Sequence, residues 1–258
     1  MKKLYLKKVD HKIKKGMIPP CIDPNVNEST IFLLDNHVVG FYLEELPEKL
    51  VKLLDIANSE FKSSNVPKSI MQRGTKKLAK KSGYEVVRQY STIIGSVPSM
   101  PHMRRPYNSI SSVHGKKTAN IFIKSMLLCC SESEKLIEKF IPEIYKNQKE
   151  IINNSVIEKY KFSNLFTSSI SNYNTAASYH QDTRNLKNTV NAIFTKRKNA
   201  TGGCLNVPDY DITISQKNNS LLVYPAWKNI HGVTPIIKKS RNGYRNSFIF
   251  YPLNGFDF

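Results

Sequence analysis

The sequence predicts an α+β protein whose carboxy-terminal half is a small barrel or sandwich of strands. Helical periodicity is confined to the chain before Phe162, and short β-type runs broken by turn residues follow it. No Gly/Ser-rich or Pro-rich stretch long enough to be a linker divides the two halves. At 258 residues the chain can bury one sizeable core, and a single domain is expected.

Taken in order, the first sixteen residues, MKKLYLKKVDHKIKKG, read as a mobile basic tail. In TIFLLDNHVVGFYLEEL two apolar runs flank Asp35 and Asn36, which predicts a hairpin. LPEKLVKLLDIANSEF repeats apolar residues at Leu46, Leu50, Leu53, Leu54 and Ala57 with Pro47 in the first turn, the pattern of a helix. Residues 66–117 mix Lys and Arg with Tyr, Met, Pro and Gly and show little periodicity, so they read as surface loop with short elements. ANIFIKSMLLCC is a buried apolar run, and Ser131 to Glu134 form a capping-box pattern that predicts a helix start. That helix continues through Leu136, Ile137, Phe140, Ile141, Ile144 and Tyr145. After it, NTVNAIFTK, GGCLNV, YDITIS, SLLVYP, HGVTPII and NSFIFYPL predict strands. The expected organisation is a tail at 1–16, a helical and basic region at 17–161, and a strand-built core at 162–258 that carries the chemistry.

Lys and Arg number 39 against 20 Asp and Glu, a net charge of +19 that sets up a field attractive to polyanions, with nucleic acid the natural partner. The plainer reading is that a Lys- and Asn-rich chain reflects an AT-rich genome, such as that of a phage. Four cysteines (Cys21, Cys129, Cys130, Cys204) show no CxxC pair, so neither a zinc site nor a disulfide framework is expected, and a reducing cytoplasm fits. The basic amino terminus has no apolar run behind it and no long apolar stretch occurs, so neither signal peptide nor membrane span is expected.

His180 and Asp182 are two apart, and on a strand that spacing puts both side chains on one face. Such a pair alone is weak evidence of a metal, but His231 follows in YPAWKNIHGVTPI, between apolar runs. Two histidines and one carboxylate on one face of an octahedron leave three positions open, the arrangement of non-haem Fe(II) oxygenases. The remaining histidines, His11, His37, His102 and His114, lie in tail, turn or basic loop. A bidentate 2-oxo acid can fill two of the open positions, and its far carboxylate then needs a cation. Arg245 heads the strand RNSFIFYPL with Ser247 on the same face, and Arg241 is the rival.

His180-x-Asp182, His231 and Arg245-x-Ser247, with TGGCLNVPDYDITISQKNNSLLVYPAWKNIHGVTPI between Asp182 and Arg245, resemble the iron- and 2-oxoglutarate-dependent dioxygenases over residues 164–253. The resemblance implies a double-stranded β-helix (jelly-roll) core, Fe(II), 2-oxoglutarate and O2 as cofactors, iron held by His180, Asp182 and His231, and a cosubstrate carboxylate on Arg245 and Ser247. Gly202-Gly203 matches the family pattern, while Asn219 stands where a Gly is usual; Asn tolerates left-handed backbone.

The pattern His-x-Asp-x-x-Asn is similar to that of the TET and JBP branch, which hydroxylates the 5-methyl group of pyrimidines in DNA. The likeness implies that Asn185, with Arg184 beside it, contacts the target base, since an amide can read a base edge. A turn residue closing the strand explains Asn185 equally well. Such an enzyme, working as a monomer, flips its base out of double-stranded DNA and grips the flanking backbone. Candidate backbone contacts are Arg73, Lys76, Lys77, Arg104, Arg105, Lys196, Arg197 and Lys198. 5-Methylcytosine is the leading target and thymine the rival. SNYNTAASYHQD also resembles the AlkB repair demethylases, which would put Asn172 and Asn174 on the cosubstrate, although the order of Asn172, Tyr173 and Asn174 departs from that family's Asn-x-Tyr. AlkB-like dealkylation is the first alternative and protein or ribosomal hydroxylation the second; a non-catalytic nucleic-acid-binding barrel is disfavoured, because all three ligands and the arginine are present.

Overall fold

A computed structural model describes residues 1–70, 89–103 and 105–256. In chain order its elements are β1 (Lys2–Tyr5), β2 (Thr30–Leu34), β3 (His37–Leu43), α1 (Glu48–Lys62), β4 (Ser69–Ile70), β5 (Tyr90–Val97), β6 (Ser109–Ile110), α2 (Asn120–Phe140) and α3 (Pro142–Ser155). There follow β7 (Ser168–Tyr173), β8 (Ala177–His180), β9 (Asn191–Lys198), β10 (Ala200–Gly202), β11 (Leu205–Val207), β12 (Ile212–Ile214), β13 (Ser220–Tyr224), β14 (His231–Val233), β15 (Ile236–Lys238) and β16 (Tyr244–Tyr251).

The elements stack in three layers. A ten-stranded major sheet runs β1-β2-β3-β13-β9-β16-β7-β5-β4, with β6 beside β5, and a four-stranded minor sheet runs β12-β11-β14-β8. Strand alternation sorts the side chains between two cores. Ala192, Phe194, Leu221, Val223, Phe248 and Phe250 meet Leu50, Leu54, Phe61, Phe122 and Met126 of the helices. Ile193, Leu222, Tyr224 and Tyr42 meet Leu205, Val207, Ile212 and Ile214 of the minor sheet. Two facing sheets of this kind form the expected jelly roll. Among the described residues no helix is long and apolar enough to cross a membrane.

The β2–β3 hairpin forms where expected. Asp35 (φ 51°) and Asn36 (φ 64°) both take the left-handed backbone that a tight primed turn demands. Asn219 also sits at φ 59°, so the amide residue does the work of the usual glycine.

Three expectations are corrected. The amino-terminal segment is not a loose tail: β1 pairs in parallel with β2, Leu4 and Leu6 pack on the inter-sheet core, and the Gly16 N–H donates to the Tyr179 carbonyl at 2.7 Å. Two leucines among lysines gave no periodic signal, yet backbone pairing and their burial hold the segment down. The region at 66–117 is not all surface loop, because β5 is largely buried and paired to β7 inside the major sheet. Ser131 does not start a helix. Helix α2 runs through it from Asn120 and stops at Phe140, just before Ile141 and Pro142, because a residue preceding proline is driven from helical geometry. The capping-box glutamate, Glu134, is buried and accepts the Leu165 N–H at 2.8 Å and the Asn164 amide at 3.1 Å. Strands of the amino-terminal region thus share one sheet with those of the carboxy-terminal core.

Gln148 on α3 fastens the helix to the sheet. It is fully buried, donates to the carbonyls of Leu165 (2.8 Å) and Val190 (3.2 Å), and accepts the Val190 N–H at 2.8 Å. Gln148→Ala strands these backbone groups and is expected to cost about 2–4 kcal/mol, read as a lowered urea midpoint with unchanged slope.

Candidate metal centre and its cavity

His180 ends β8 and His231 opens β14, and the two are register partners in the minor sheet. Pairing brings their ring centroids to 4.3 Å. Asp182 lies just past the end of β8, its N–H on the Ala226 carbonyl at 3.2 Å and its carboxylate 3.5 Å from His180 Nε2. One donor atom from each of the three residues lies within 4.8 Å of the others.

The tautomers suit metal binding. His180 Nδ1 is 2.8 Å from the Ser178 carbonyl and His231 Nδ1 is 3.0 Å from that of Asn229. A carbonyl only accepts, so each Nδ1 donates to it and each Nε2 is the nitrogen left to face a metal. Burial and the neighbouring His180 push the His231 pKa down to about 3, which keeps that ring neutral. Burial raises the Asp182 carboxyl above its ordinary range, opposed by His180 and by a hydrogen bond from Asn191.

An amide relay positions the carboxylate. Asn191 Nδ2 donates to Asp182 Oδ2 at 3.1 Å, and Asn185 Nδ2 donates to Asn191 Oδ1 at 2.8 Å. Asn185 is buried and also caps the turn with its N–H on the Asp182 carbonyl at 3.0 Å. Its amide nitrogen therefore supports the Asp182 carboxylate through Asn191, while the residue still borders the cavity.

That cavity, about 420 Å³, opens between the sheets, with Asn172, Ile193, Ser247 and Ile249 on one wall and His180, Leu205, His231 and Val233 on the other. Arg184 and Asn185 also line it. Tyr224 lies edge-on to His231 with ring centroids 5.3 Å apart.

Arg245, only 2% exposed, lines the same cavity. Its Nη2 donates to Gln216 Oε1, whereas its Nε has no partner among the described residues. Burial, then the nearby Arg197 cation, hold the Arg245 pKa down to about 9. Gly203 (φ +63°) makes room: a Cβ there would stand 3.3 Å from Arg245 Cδ and Nε. Among the described residues no carboxylate lies beside this buried cation, which calls for an anion, and the donor set of two imidazoles and a carboxylate suits Fe(II). The residues present thus fit both an iron ion and the far carboxylate of a 2-oxo acid.

The other sequence candidates scatter. Asn174 (φ 54°) is buried and clamps Arg245 from behind, accepting its N–H and donating to its carbonyl, each at 2.8 Å. Lys196 departs from its expected place on the DNA backbone: 6% exposed, it pairs with Asp55 and donates to Asn219 Oδ1 at 2.6 Å. Arg197 departs as well, turning inward to donate to the Gly202 carbonyl. The pleat explains both, since β9 faces the helices on one side and the cavity on the other. Lys198 is exposed, and Arg105 is half-buried beside Met100. Arg73, Lys76, Lys77 and Arg104 lie outside the described residues. Trp227 donates to the Thr189 carbonyl at 2.9 Å and holds the loop beneath the metal ligands. Sequence reasoning missed Asn191, Gln216 and the inward turn of Arg197; none sits at a spacing from His180 or His231 that marks it.

Fold and site together define a jelly roll with a two-histidine, one-carboxylate centre facing a buried arginine. The solved structure of NgTET1 in complex with 5mC DNA is similar over 93% of this chain and 83% of that one, at 17% identity and a TM-score of 0.52. OsALKBH1 matches with TM-score 0.42 and 13% identity over 83% of this chain and 96% of that chain. A 2OG-Fe(II) oxygenase family oxidoreductase from Burkholderia pseudomallei matches with TM-score 0.46 and 11% identity over 84% and 86%. The likeness to NgTET1 is one of fold. No protein-family model and no curated protein matches the sequence.

Removing the relay should loosen the metal. Asn191→Ala is expected to weaken metal affinity about 10–100-fold, followed by titration with Mn(II) or Co(II), and Asp182→Ala to abolish it. Acid stability offers a separate check. Folded His231 stays neutral down to about pH 3, whereas an unfolded chain protonates it near 6.5. Between those values the unfolded state binds the extra proton, so metal-free protein loses stability as the pH falls through this window. His231→Leu should flatten that part of the urea midpoint against pH.

Proposed function

We propose that this protein is an Fe(II)- and 2-oxoglutarate-dependent dioxygenase that hydroxylates the 5-methyl group of a pyrimidine in DNA, with 5-methylcytosine the leading target. The observation that carries the oxygenase reading is one cavity holding His180, Asp182 and His231 together with the buried Arg245. His180 Nε2, His231 Nε2 and the Asp182 carboxylate would hold the iron. Arg245 would take the far carboxylate of 2-oxoglutarate, with Ser247 and Asn172 on the adjacent wall. When bound, iron and cosubstrate supply an oxidant formed from O2 that takes hydrogen from the methyl group, with succinate and CO2 as co-products.

The chain's own residues supply orientation and exclusion of water. The Ser178 and Asn229 carbonyls keep the imidazole lone pairs inward. Asn191 fixes one carboxylate oxygen of Asp182 and leaves the other to the metal. Tyr224, Ile193, Leu205 and Ile249 line the space around these groups with apolar surface. Arg184 and Asn185, beside the metal ligands on the cavity wall, are placed to meet a substrate entering there.

DNA as substrate is supported by the net charge of +19 and by the fold's likeness to a protein whose structure holds 5mC DNA. Exposed Lys198 and half-buried Arg105 are the described candidates for phosphate contact, joined in the proposal by Arg73, Lys76, Lys77 and Arg104. Phosphate contacts release counterions, so affinity for duplex DNA is expected to fall steeply between low and physiological salt.

Incubation of iron-loaded protein with 2-oxoglutarate and DNA carrying 5-methylcytosine, cytosine and thymine, followed by digestion and mass spectrometry of the nucleosides, tests the reading. One added oxygen on 5-methylcytosine or thymine is expected, lost in Asp182→Ala. Arg245→Ala is expected chiefly to raise the 2-oxoglutarate requirement. Succinate without any new nucleoside would move the substrate elsewhere, and neither product would sink the oxygenase assignment.

A further inference from the structure

The Arg245 corner of the site holds more hydrogen-bond donors than the protein itself satisfies. Gln216 is 1% exposed, lines the cavity and sits at φ +42° in the turn between β12 and β13. Its Oε1 accepts from Arg245 Nη2. A guanidinium has only donors, so the amide can present nothing but its oxygen to Arg245, and its orientation is settled by the arginine. The consequence is a buried Nε2 with no partner among the described residues. Arg245 Nε is in the same condition, and so is Nε of Arg197, the second cation of this corner.

Buried donors of this kind are rare because leaving them unpaired is costly, and two neighbouring cations with no carboxylate beside them among the described residues compound the cost. A carboxylate in the cavity would pair the Gln216 and Arg245 donors and offset both cations, although Arg197 itself does not line the cavity. Such a group brings two acceptor oxygens with about four lone-pair sites and one negative charge. A neutral amide beside a guanidinium matches those two oxygens without adding further positive charge.

We propose that Gln216 is a cosubstrate-binding residue, its Nε2 and the Arg245 guanidinium together gripping the distal carboxylate of a dicarboxylic 2-oxo acid, with Arg197 behind them as a second positive charge. This rests on the oxygenase reading above and extends it to specificity. A 2-oxo acid lacking the distal carboxylate leaves these donors unpaired and is rejected, since a site built to hydrogen-bond a group discriminates strongly against its absence. Asn174 and Gly203 are positioning residues in this scheme, the first tethering the Arg245 backbone and the second clearing space for its side chain.

The test uses full-length protein loaded with Mn(II), so that no turnover occurs, and reads binding by calorimetry and melting temperature. Wild type is expected to bind 2-oxoglutarate and to bind 2-oxobutyrate at least about tenfold more weakly, and Gln216→Ala to lose about tenfold in 2-oxoglutarate affinity. Gln216→Glu is the sharper variant: its new carboxylate satisfies Arg245 from within. It should melt higher than wild type without ligand and no longer respond to 2-oxoglutarate. A Gln216→Glu protein that melts lower, or variants that bind 2-oxoglutarate as wild type does, would overturn the role of Gln216 and leave the oxygenase reading intact. Wild-type protein that takes up Mn(II) but binds no 2-oxoglutarate would overturn the reading itself, and this inference with it.

Discussion

The pairing of β8 with β14 is the constraint on which the rest of the site depends. It sets His180 opposite His231, and because strand side chains alternate between faces, a slip of one residue would turn one imidazole away from the cavity. Nothing in two short strands is strong enough to fix that register unaided. Burial fixes it, through Tyr179, whose hydroxyl donates to Asn206 Oδ1 at 2.7 Å, and through Val233 packed on the inter-sheet core. The amino-terminal segment closes the outer side of β8 by exchanging backbone hydrogen bonds between residues 16–17 and Tyr179.

The major sheet does complementary work. Its helix-facing side carries the aromatic core, including Phe194, Phe248 and Phe250, so its cavity-facing side can hold groups that no stable core would choose. Asn191, Ser247 and Arg245 all project from strands anchored in this way. Arg245 is the extreme case, a guanidinium removed from water on a strand whose neighbouring side chains are locked by packing. Such an arrangement is tolerable because the surrounding layers are stable enough to carry it, and it is useful because a bound anion relieves it.

Much of the fold was legible in the sequence where local chemistry decides it. The Asp35-Asn36 turn, the apolar spacing of α1 and the run of short strands after Phe162 follow from backbone preferences and period alone. Where tertiary contacts decide, the local signals misled. Ser131 to Glu134 has the form of a capping box, but the buried face of α2 through Cys129, Cys130, Ser133 and Ile137 continues across it. Leu4 and Leu6 are too few to announce a strand, and β5 gains its place only from pairing with β7.

For the site, the sequence by itself singled out His180, Asp182, His231 and Arg245 by residue type and spacing, and the fold brings all four to one cavity, the first three within 4.8 Å of one another. Only the tertiary structure decided how they are supported and what surrounds them. Asn185 hydrogen-bonds Asn191, Arg197 turns inward, Lys196 is buried on Asp55, and Gln216 arrives beside Arg245. These contacts join residues distant in the chain, and the direction each side chain takes is set by strand register and packing between layers, which no local pattern encodes.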